Sequence, residues 1–359
     1  MQRIYRMSRY LVPILFFGYA PFANLAFLEE PETRLAPFDM GVLKGTLTLS
    51  FDTAYKTAMP HRDASIGLIG AVRYVLAGEG RKGVLVGDRG WLFTAEEARP
   101  LPDDLTVTFD QIADVRARLA EAGVTLVMLP VPAKVDVEAA QAGAPALSGA
   151  LAGLNAAFVA GLRQRLIPVV DTRAPLVSLA TTGDAFFPTD THWTPEGAGA
   201  VAASVAASGL VVTGTAAMVK APRPPKNLIG DLVSFVTSDR LAPVVGLPAE
   251  TVIPYLAEPT TAAVIGDIFA ADAVGVVLIG TSYSANPDWS FAEALKLSLQ
   301  ADVLNAAAQG QGPVTPMLDY LASDAFRQTP PETVLWEFPL RYLTDPALWT
   351  KAMEVASAT

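Results

Sequence analysis

Val274-Gly275-Val276-Val277-Leu278-Ile279-Gly280-Thr281-Ser282-Tyr283-Ser284 is an apolar run that stops on a turn of small residues. No polar residue alternates within it, so it reads as a strand buried on both faces, with a helix following over 290–300. Val124-Thr125-Leu126-Val127-Met128-Leu129-Pro130 has the same character after a helix predicted over 111–122. A helix over 147–166 then leads to a short strand over 167–171, and Thr333-Val334-Leu335-Trp336-Glu337-Phe338 reads as the last strand. A strand over 302–304 and a helix over 315–322 lie between. Continuous apolar strands separated by helices are what a parallel sheet covered on both faces requires, so the fold class is α/β.

The flanks of this frame are less regular. Residues 83–93 read as a hairpin turning at Asp88-Arg89-Gly90. Residues 211–265 hold short apolar runs and prolines and read as an inserted β element or a covering loop; Lys220, Arg223 and Lys226 there are a basic cluster, either solvated or in contact with a sugar or uronate. Residues 31–80 read as a linker and helical lead-in, with an amphipathic helix over 66–76. The main domain is expected over 81–350.

Composition narrows the function. Of 359 residues 51% are hydrophobic and 17% charged, which excludes a disordered chain. Lys and Arg number 26 against 36 Asp and Glu, a net charge of −10, so no broad basic surface exists and nucleic acid is not an expected partner. Without cysteine, disulfides, thiolate nucleophiles and cysteine metal sites are excluded. No nucleotide-binding fingerprint occurs, and neither a cofactor nor a metal is expected.

Residues 1–30 bear on the compartment. Arg3, Arg6 and Arg9 precede an uncharged stretch from Tyr10 to Leu28, and 19 helical residues would span roughly 28 Å, close to a hydrocarbon core. The arginines keep the N-terminus cytoplasmic, so the rest of the chain is expected to be exported. An uncleaved inner-membrane anchor is the preferred reading, with a cleaved signal peptide ending near Gly18-Tyr19-Ala20 or a buried soluble helix as alternatives. Pro21 is a poor first residue after cleavage, and Pro13 and Pro21 weaken the helix without forbidding it.

Chemistry points to two short segments. Ser282 lies where a buried strand ends and a helix begins, the place where open α/β sheets bind ligands. Taken alone it is better read as a turn or capping serine. A serine nucleophile needs a base with a pKa near neutrality, and only His61 and His192 are available. His61 has no suitable context and reads as structural or exposed. Asp190 stands two residues before His192, where its carboxylate can hold Nδ1–H and turn Nε2 toward a serine. The bland alternatives are a buried histidine bonded to a backbone carbonyl and a helix-capping Asp190. Thr194-Pro195-Glu196 marks a helix start immediately afterwards. A zinc site on Asp190 and His192 would need a further ligand that no motif supplies.

Five segments occur in order: Val86-Gly87-Asp88-Arg89-Gly90-Trp91-Leu92-Phe93, Val131-Pro132-Ala133-Lys134, Asp190-Thr191-His192-Trp193-Thr194, Gly280-Thr281-Ser282-Tyr283-Ser284-Ala285-Asn286 and Trp336-Glu337-Phe338-Pro339-Leu340-Arg341-Tyr342-Leu343. Together they resemble the AlgJ/AlgX family of alginate O-acetyltransferases. The resemblance implies a flavodoxin-like, SGNH-type three-layer sandwich with a mostly parallel sheet, here preceded by the hydrophobic helix. By motif, Ser282 resembles the nucleophile, with Ser284 as runner-up, His192 the base and Asp190 the orienting acid. Asn286 is a candidate second oxyanion donor and Arg341 a candidate sugar contact, while Leu340 stands where the family is expected to carry an acid. The chain ends soon after the last segment, so no C-terminal carbohydrate-binding module is expected. The implied activity is O-acetylation of a secreted polysaccharide, alginate or a related exopolysaccharide, in the periplasm, with a membrane protein of the export machinery as acetyl donor. An acetylesterase with the same triad and a non-catalytic glycan-binding scaffold of an export complex are the alternatives.

Overall fold

The computed structural model describes residues 2–29, 40–57, 59, 61–260 and 275–350. Its elements run α1 (Gln2–Glu29), α2 (Thr46–Thr57), α3 (Arg62–Ala77), β1 (Val84–Val86), β2 (Leu92–Thr94), α4 (Thr106–Glu121), β3 (Thr125–Val131), α5 (Lys134–Val137), α6 (Ala139–Ala142) and α7 (Pro145–Gln164). After these come α8 (Arg173–Ala180), α9 (Pro195–Ala207), β4 (Met218–Pro222), β5 (Lys226–Leu228), β6 (Glu250–Val252), β7 (Tyr255–Pro259) and β8 (Val276–Ile279). The last are α10 (Ser282–Ala285), α11 (Phe291–Leu299), β9 (Val303–Asn305), α12 (Val314–Ala322), α13 (Asp324–Gln328) and β10 (Thr333–Pro339).

The central sheet has the order β3-β10-β8-β9, and all its pairings are parallel. Val169 adds a parallel bridge to Met128 on the free edge of β3. Read cyclically from β8, these positions have the spatial order 2-1-3-4-5 of a flavodoxin-like sheet, cut so that its first strand falls late in the chain. The switch point of that order lies between β8 and β10, and Ser282 begins the turn leaving β8.

Because side chains alternate along a strand, the apolar runs supply two cores. Leu126, Met128, Val277, Ile279, Val334 and Trp336 face α4, α7, α12 and α13. Val127, Leu129, Val276, Leu278 and Leu335 face α8, α9 and α11. A third small cluster joins Val84 and Leu92 of the hairpin to Leu232, Val233, Val236 and Leu247. By length and hydropathy α7 could cross a membrane, but Leu151, Leu154, Phe158 and Leu162 pack into the sandwich, so it is a core helix.

Several expectations shift in detail. Val274 lies outside the described residues, and the strand begins at Val276. The strand expected over 167–171 is a single bridge, since Pro168 has no N–H to continue a ladder. The helix expected from 111 starts at Thr106, where the Asp104 carboxylate accepts bonds from Thr106 N and Oγ1. Over the described residues up to 260, the insertion resolves into two antiparallel pairs, β4 with β7 and β5 with β6.

Candidate active site

Two turns build the site. On the first, the Thr281 side chain caps α10 and Ser282 is its first residue. Gly280 is required there, because a Cβ would collide with the buried Glu337 carboxylate. On the second, the loop carrying Asp190 and His192 ends at Thr194, whose Oγ1 accepts from Gly197 N (3.0 Å) to cap α9 with Pro195 as its first residue. The turns are tied to each other twice. Trp193 Nε1 donates to the Tyr283 carbonyl (3.1 Å), and Tyr283 Oη donates to the Thr191 carbonyl (2.8 Å).

This brings together the three residues singled out by sequence. His192 Nε2 lies 2.7 Å from Ser282 Oγ, and Nδ1 lies 2.7 Å from Asp190 Oδ1. Asp190 Oδ1 also accepts from His192 N (2.9 Å), and Oδ2 accepts from Asp231 N (3.0 Å). Burial alone would raise the Asp190 pKa, but the bond and charge of His192 outweigh it and leave the carboxyl below its ordinary value. The imidazole stacks on Trp289 at 5.3 Å between centroids, which fixes the ring plane while its edge reaches the serine. Such an array can move a proton from Ser282 Oγ to His192 and hold the resulting imidazolium against Asp190.

Three side chains that sequence reasoning left without a role support these turns. The Lys134 ammonium, almost fully buried, donates to the carbonyls of Leu92 (2.6 Å), Phe187 (2.7 Å), Pro188 (3.0 Å) and Asp190 (2.9 Å). Burial lowers its pKa to about 8, which still leaves it protonated at neutral pH. Asp231 Oδ1 accepts from Thr191 N (2.8 Å) and Thr191 Oγ1 (3.1 Å), fixing the residue between Asp190 and His192. Glu337, fully buried, accepts from Thr281 N (2.7 Å) and from the hydroxyls of Thr281 (3.1 Å) and Ser284 (3.0 Å). Lys134 and Glu337 lie in quoted segments, but nothing in their spacing shows that they brace loops about fifty residues away.

The other candidates have partners of their own. Ser284 is bonded to Glu337 and buried, so it is no alternative nucleophile. Arg341 is buried under the site, with Nη1 donating to Tyr283 Oη (3.3 Å) and Nε 3.5 Å from Glu96 Oε2; it supports Tyr283 rather than meeting a sugar. Leu340 packs in the core. Asn286 Oδ1 accepts from Asp288 N (3.0 Å), a capping bond that does not engage its Nδ2 donors. In the basic cluster Lys226 pairs with Asp288 and Lys220 lies over the Tyr255 ring. His61 is exposed and stacks on Tyr19 and Phe22. Asp190, His192 and Asp231 are close enough to hold a metal ion, but their facing atoms are engaged in the bonds just described, which an ion would have to displace.

Burial raises the Glu337 carboxyl to about 7 against the hydrogen bonds that favour its charged form. A raised carboxyl binds its proton more tightly in the folded state, so its contribution to stability is full below the unfolded value near 4.5 and is lost as pH rises through about 7. Glu138, also raised to about 7 by burial, acts with the same sign, and Asp190 acts with the opposite one. Urea midpoints are therefore expected to decline between about pH 5 and 7.5, less steeply in Glu337→Gln. An equal slope in the two proteins would remove Glu337 as the cause.

Comparison with known proteins gives a consistent result. Residues 84–340 match the family model described as SGNH hydrolase-like domain, acetyltransferase AlgX. The "Probable alginate O-acetylase AlgJ" of Pseudomonas syringae pv. tomato is 37% identical over 319 residues, covering 84% of this chain and 80% of the relative. The protein of the same name from Azotobacter vinelandii is 35% identical over 311 residues, covering 84% and 80%. Among solved structures, the O-acetyltransferase domain of Pseudomonas putida AlgJ matches with a TM-score of 0.64 and 32% identity, over 77% of this chain and 100% of that one. Pseudomonas aeruginosa AlgX matches with a TM-score of 0.57 and 25% identity, over 76% and 67%.

Proposed function

We propose, from the premise that this chain belongs to the AlgX family of SGNH hydrolase-like acetyltransferases, that it O-acetylates a secreted polysaccharide, alginate, through an acetyl-Ser282 intermediate. The observation that carries this reading is the continuous line of hydrogen bonds from Asp190 through His192 to Ser282. In the first half-reaction His192 Nε2 takes the Ser282 proton while Oγ attacks the acetyl carbonyl of an activated ester. The imidazolium then protonates the departing group and leaves an acetyl-serine. In the second, His192 deprotonates a sugar hydroxyl, which attacks that ester; the proton returns to Ser282 Oγ and the acetyl group rests on the sugar. The Ser282 N–H, for which no internal acceptor exists among the described residues, is available to the oxyanion in both steps.

The reaction is placed in the periplasm, with α1 as an uncleaved inner-membrane anchor. Its support is the basic N-terminus and the exposed apolar side chains of α1, among them Tyr10, Ile14, Phe16, Phe17 and Leu25. Acetyl-CoA is confined to the cytoplasm, so the donor is a membrane protein that delivers the group across the bilayer. An assay with an activated acetyl ester and deacetylated polyuronate oligosaccharides tests the acceptor. Acetyl groups are expected on the oligosaccharide in proportion to its concentration. Release as acetate at a rate unaffected by oligosaccharide would make water the acceptor and the protein an esterase.

A further inference from the structure

Between α1 and the catalytic sandwich, α3 is apolar on two sides. Its inner face is made of Gly67, Gly70 and Ala71, all buried. Thr237 Oγ1 donates to the Gly67 carbonyl (2.9 Å), and a Cβ on Gly70 would collide with the Val236 carbonyl, so the helix backbone lies directly on the body. With that face filled by small residues, the large aliphatics Leu68, Ile69, Val72 and Leu76 fall at helical spacing on the opposite face, and all are exposed. Residues 40–77 carry ten exposed large hydrophobic side chains, as many as all the described residues after 77 together. An apolar surface of that density marks a contact with something that excludes water.

Two observations say what covers it. The first is continuity with α1: His61, immediately before α3, stacks on Tyr19 and Phe22 of α1 at 5.8 and 6.0 Å between centroids. The start of α3 therefore sits against α1, whose apolar side chains Tyr10, Leu11, Ile14, Leu15, Phe16, Phe17, Phe22 and Leu25 are exposed. The second is charge. Residues 40–82 carry Lys44, Lys56, Arg62, Arg73, Arg81 and Lys82 against Asp52, Asp63 and Glu79, a net of +3 in a chain whose total is −10. All six cationic side chains are exposed; Lys56, Arg62 and Arg73 pair with Asp52, Asp63 and Glu79, and Arg81 also donates to the Ser234 carbonyl, so the excess is carried by Lys44, Arg81 and Lys82. An aliphatic helix face flanked by excess Lys and Arg is suited to an anionic lipid surface, where the aliphatics enter the headgroup and acyl boundary and the cations meet lipid phosphates.

We propose that the outer face of α3 docks on an anionic phospholipid bilayer and holds the catalytic body against the same membrane that α1 enters. The proposal rests on the reading of α1 as an anchor and adds a second, peripheral contact. With it, the sandwich does not swing freely on the linker but presents a fixed side to the membrane.

The chain has no cysteine, so single-cysteine variants can be spin-labelled uniquely. Ile69→Cys, Val72→Cys, Phe16→Cys in α1 and Val107→Cys, exposed on α4, are labelled in the full chain and reconstituted into vesicles of phosphatidylglycerol and phosphatidylethanolamine. Collision rates with oxygen, which concentrates in lipid, and with a water-soluble nickel chelate are compared. Oxygen collisions are expected to exceed nickel collisions at 69, 72 and 16, with the reverse at 107. Nickel-dominated collisions at 69 and 72 beside a lipid-facing label at 16 would overturn the α3 contact and leave the anchor standing. A water-facing label at 16 beside lipid-facing labels at 69 and 72 would overturn the anchor and leave the α3 contact. Labels at 69 and 72 shielded from both reagents, with spin–spin broadening that vanishes on dilution with unlabelled chain, would assign the face to a second copy and overturn the proposal.

Discussion

Ser282→Ala is expected to lower acetyl transfer by about four to six orders of magnitude while leaving the fold intact. Among the described residues its Oγ is bonded only to His192 Nε2, so truncation removes the nucleophile and little else. Asp190→Asn is expected to cost about four orders of magnitude, for a different reason. Both Asp190 oxygens accept, Oδ1 from His192 N and Nδ1 and Oδ2 from Asp231 N, whereas a carboxamide offers one acceptor oxygen and an NH2 group. In one orientation the NH2 meets the Asp231 N–H; in the other it meets His192 Nδ1 and forces the tautomer that turns a protonated Nε2 toward the serine. Turnover beside urea unfolding separates the two effects. An Asp190→Asn enzyme within about tenfold of wild type would deny Asp190 its orienting role.

Lys134→Met should have the largest effect on stability. Truncating a buried charged donor leaves its partners unsatisfied, and losses of about 3–5 kcal/mol are usual when one member of a buried charged interaction is removed. Here four carbonyls lose the ammonium at once, three of them on the loop that carries Asp190 and His192, and the Pro188 carbonyl keeps the Leu92 N–H. Activity is expected to fall with stability, because that loop sets the position of His192. Arginine is not expected to rescue, since its planar fork cannot reach four carbonyls converging on one nitrogen. Urea unfolding reads the change; a loss below about 1 kcal/mol would mean that the loop is held by its other bonds alone.

How much of this was legible in the sequence depends on range. The apolar runs of β3, β8 and β10 announce a covered parallel sheet because each strand is buried on both faces. Gly280-x-Ser282 and Asp190-x-His192 announce chemistry because each turn is local, and the cap at Thr194 was readable beside them. Residues whose roles depend on distant backbone groups were not legible. Lys134 binds carbonyls 42 to 56 positions away, Glu337 braces a turn 56 positions before it, and Asp231 is bonded into a loop 40 positions before it. Arg341, a candidate sugar contact, and Ser284, the runner-up nucleophile, could not be placed for the same reason: their partners, Tyr283 and Glu337, are set by the tertiary fold. The β4–β7 pairing escaped notice because its strands are short, proline-bearing and far apart in the chain, with little alternation to mark them.

The most direct test of the account is the site of acetylation. Protein exposed to an activated acetyl ester in the absence of polysaccharide, quenched in acid and digested, should carry one acetyl group on Ser282 by peptide mass spectrometry. The modification should be absent from Ser282→Ala and His192→Ala, and should disappear from wild type on addition of polyuronate oligosaccharide. Turnover with no acetyl on Ser282 at any time, or an acetyl group that persists on the peptide when acceptor is added, would contradict the acetyl-serine mechanism.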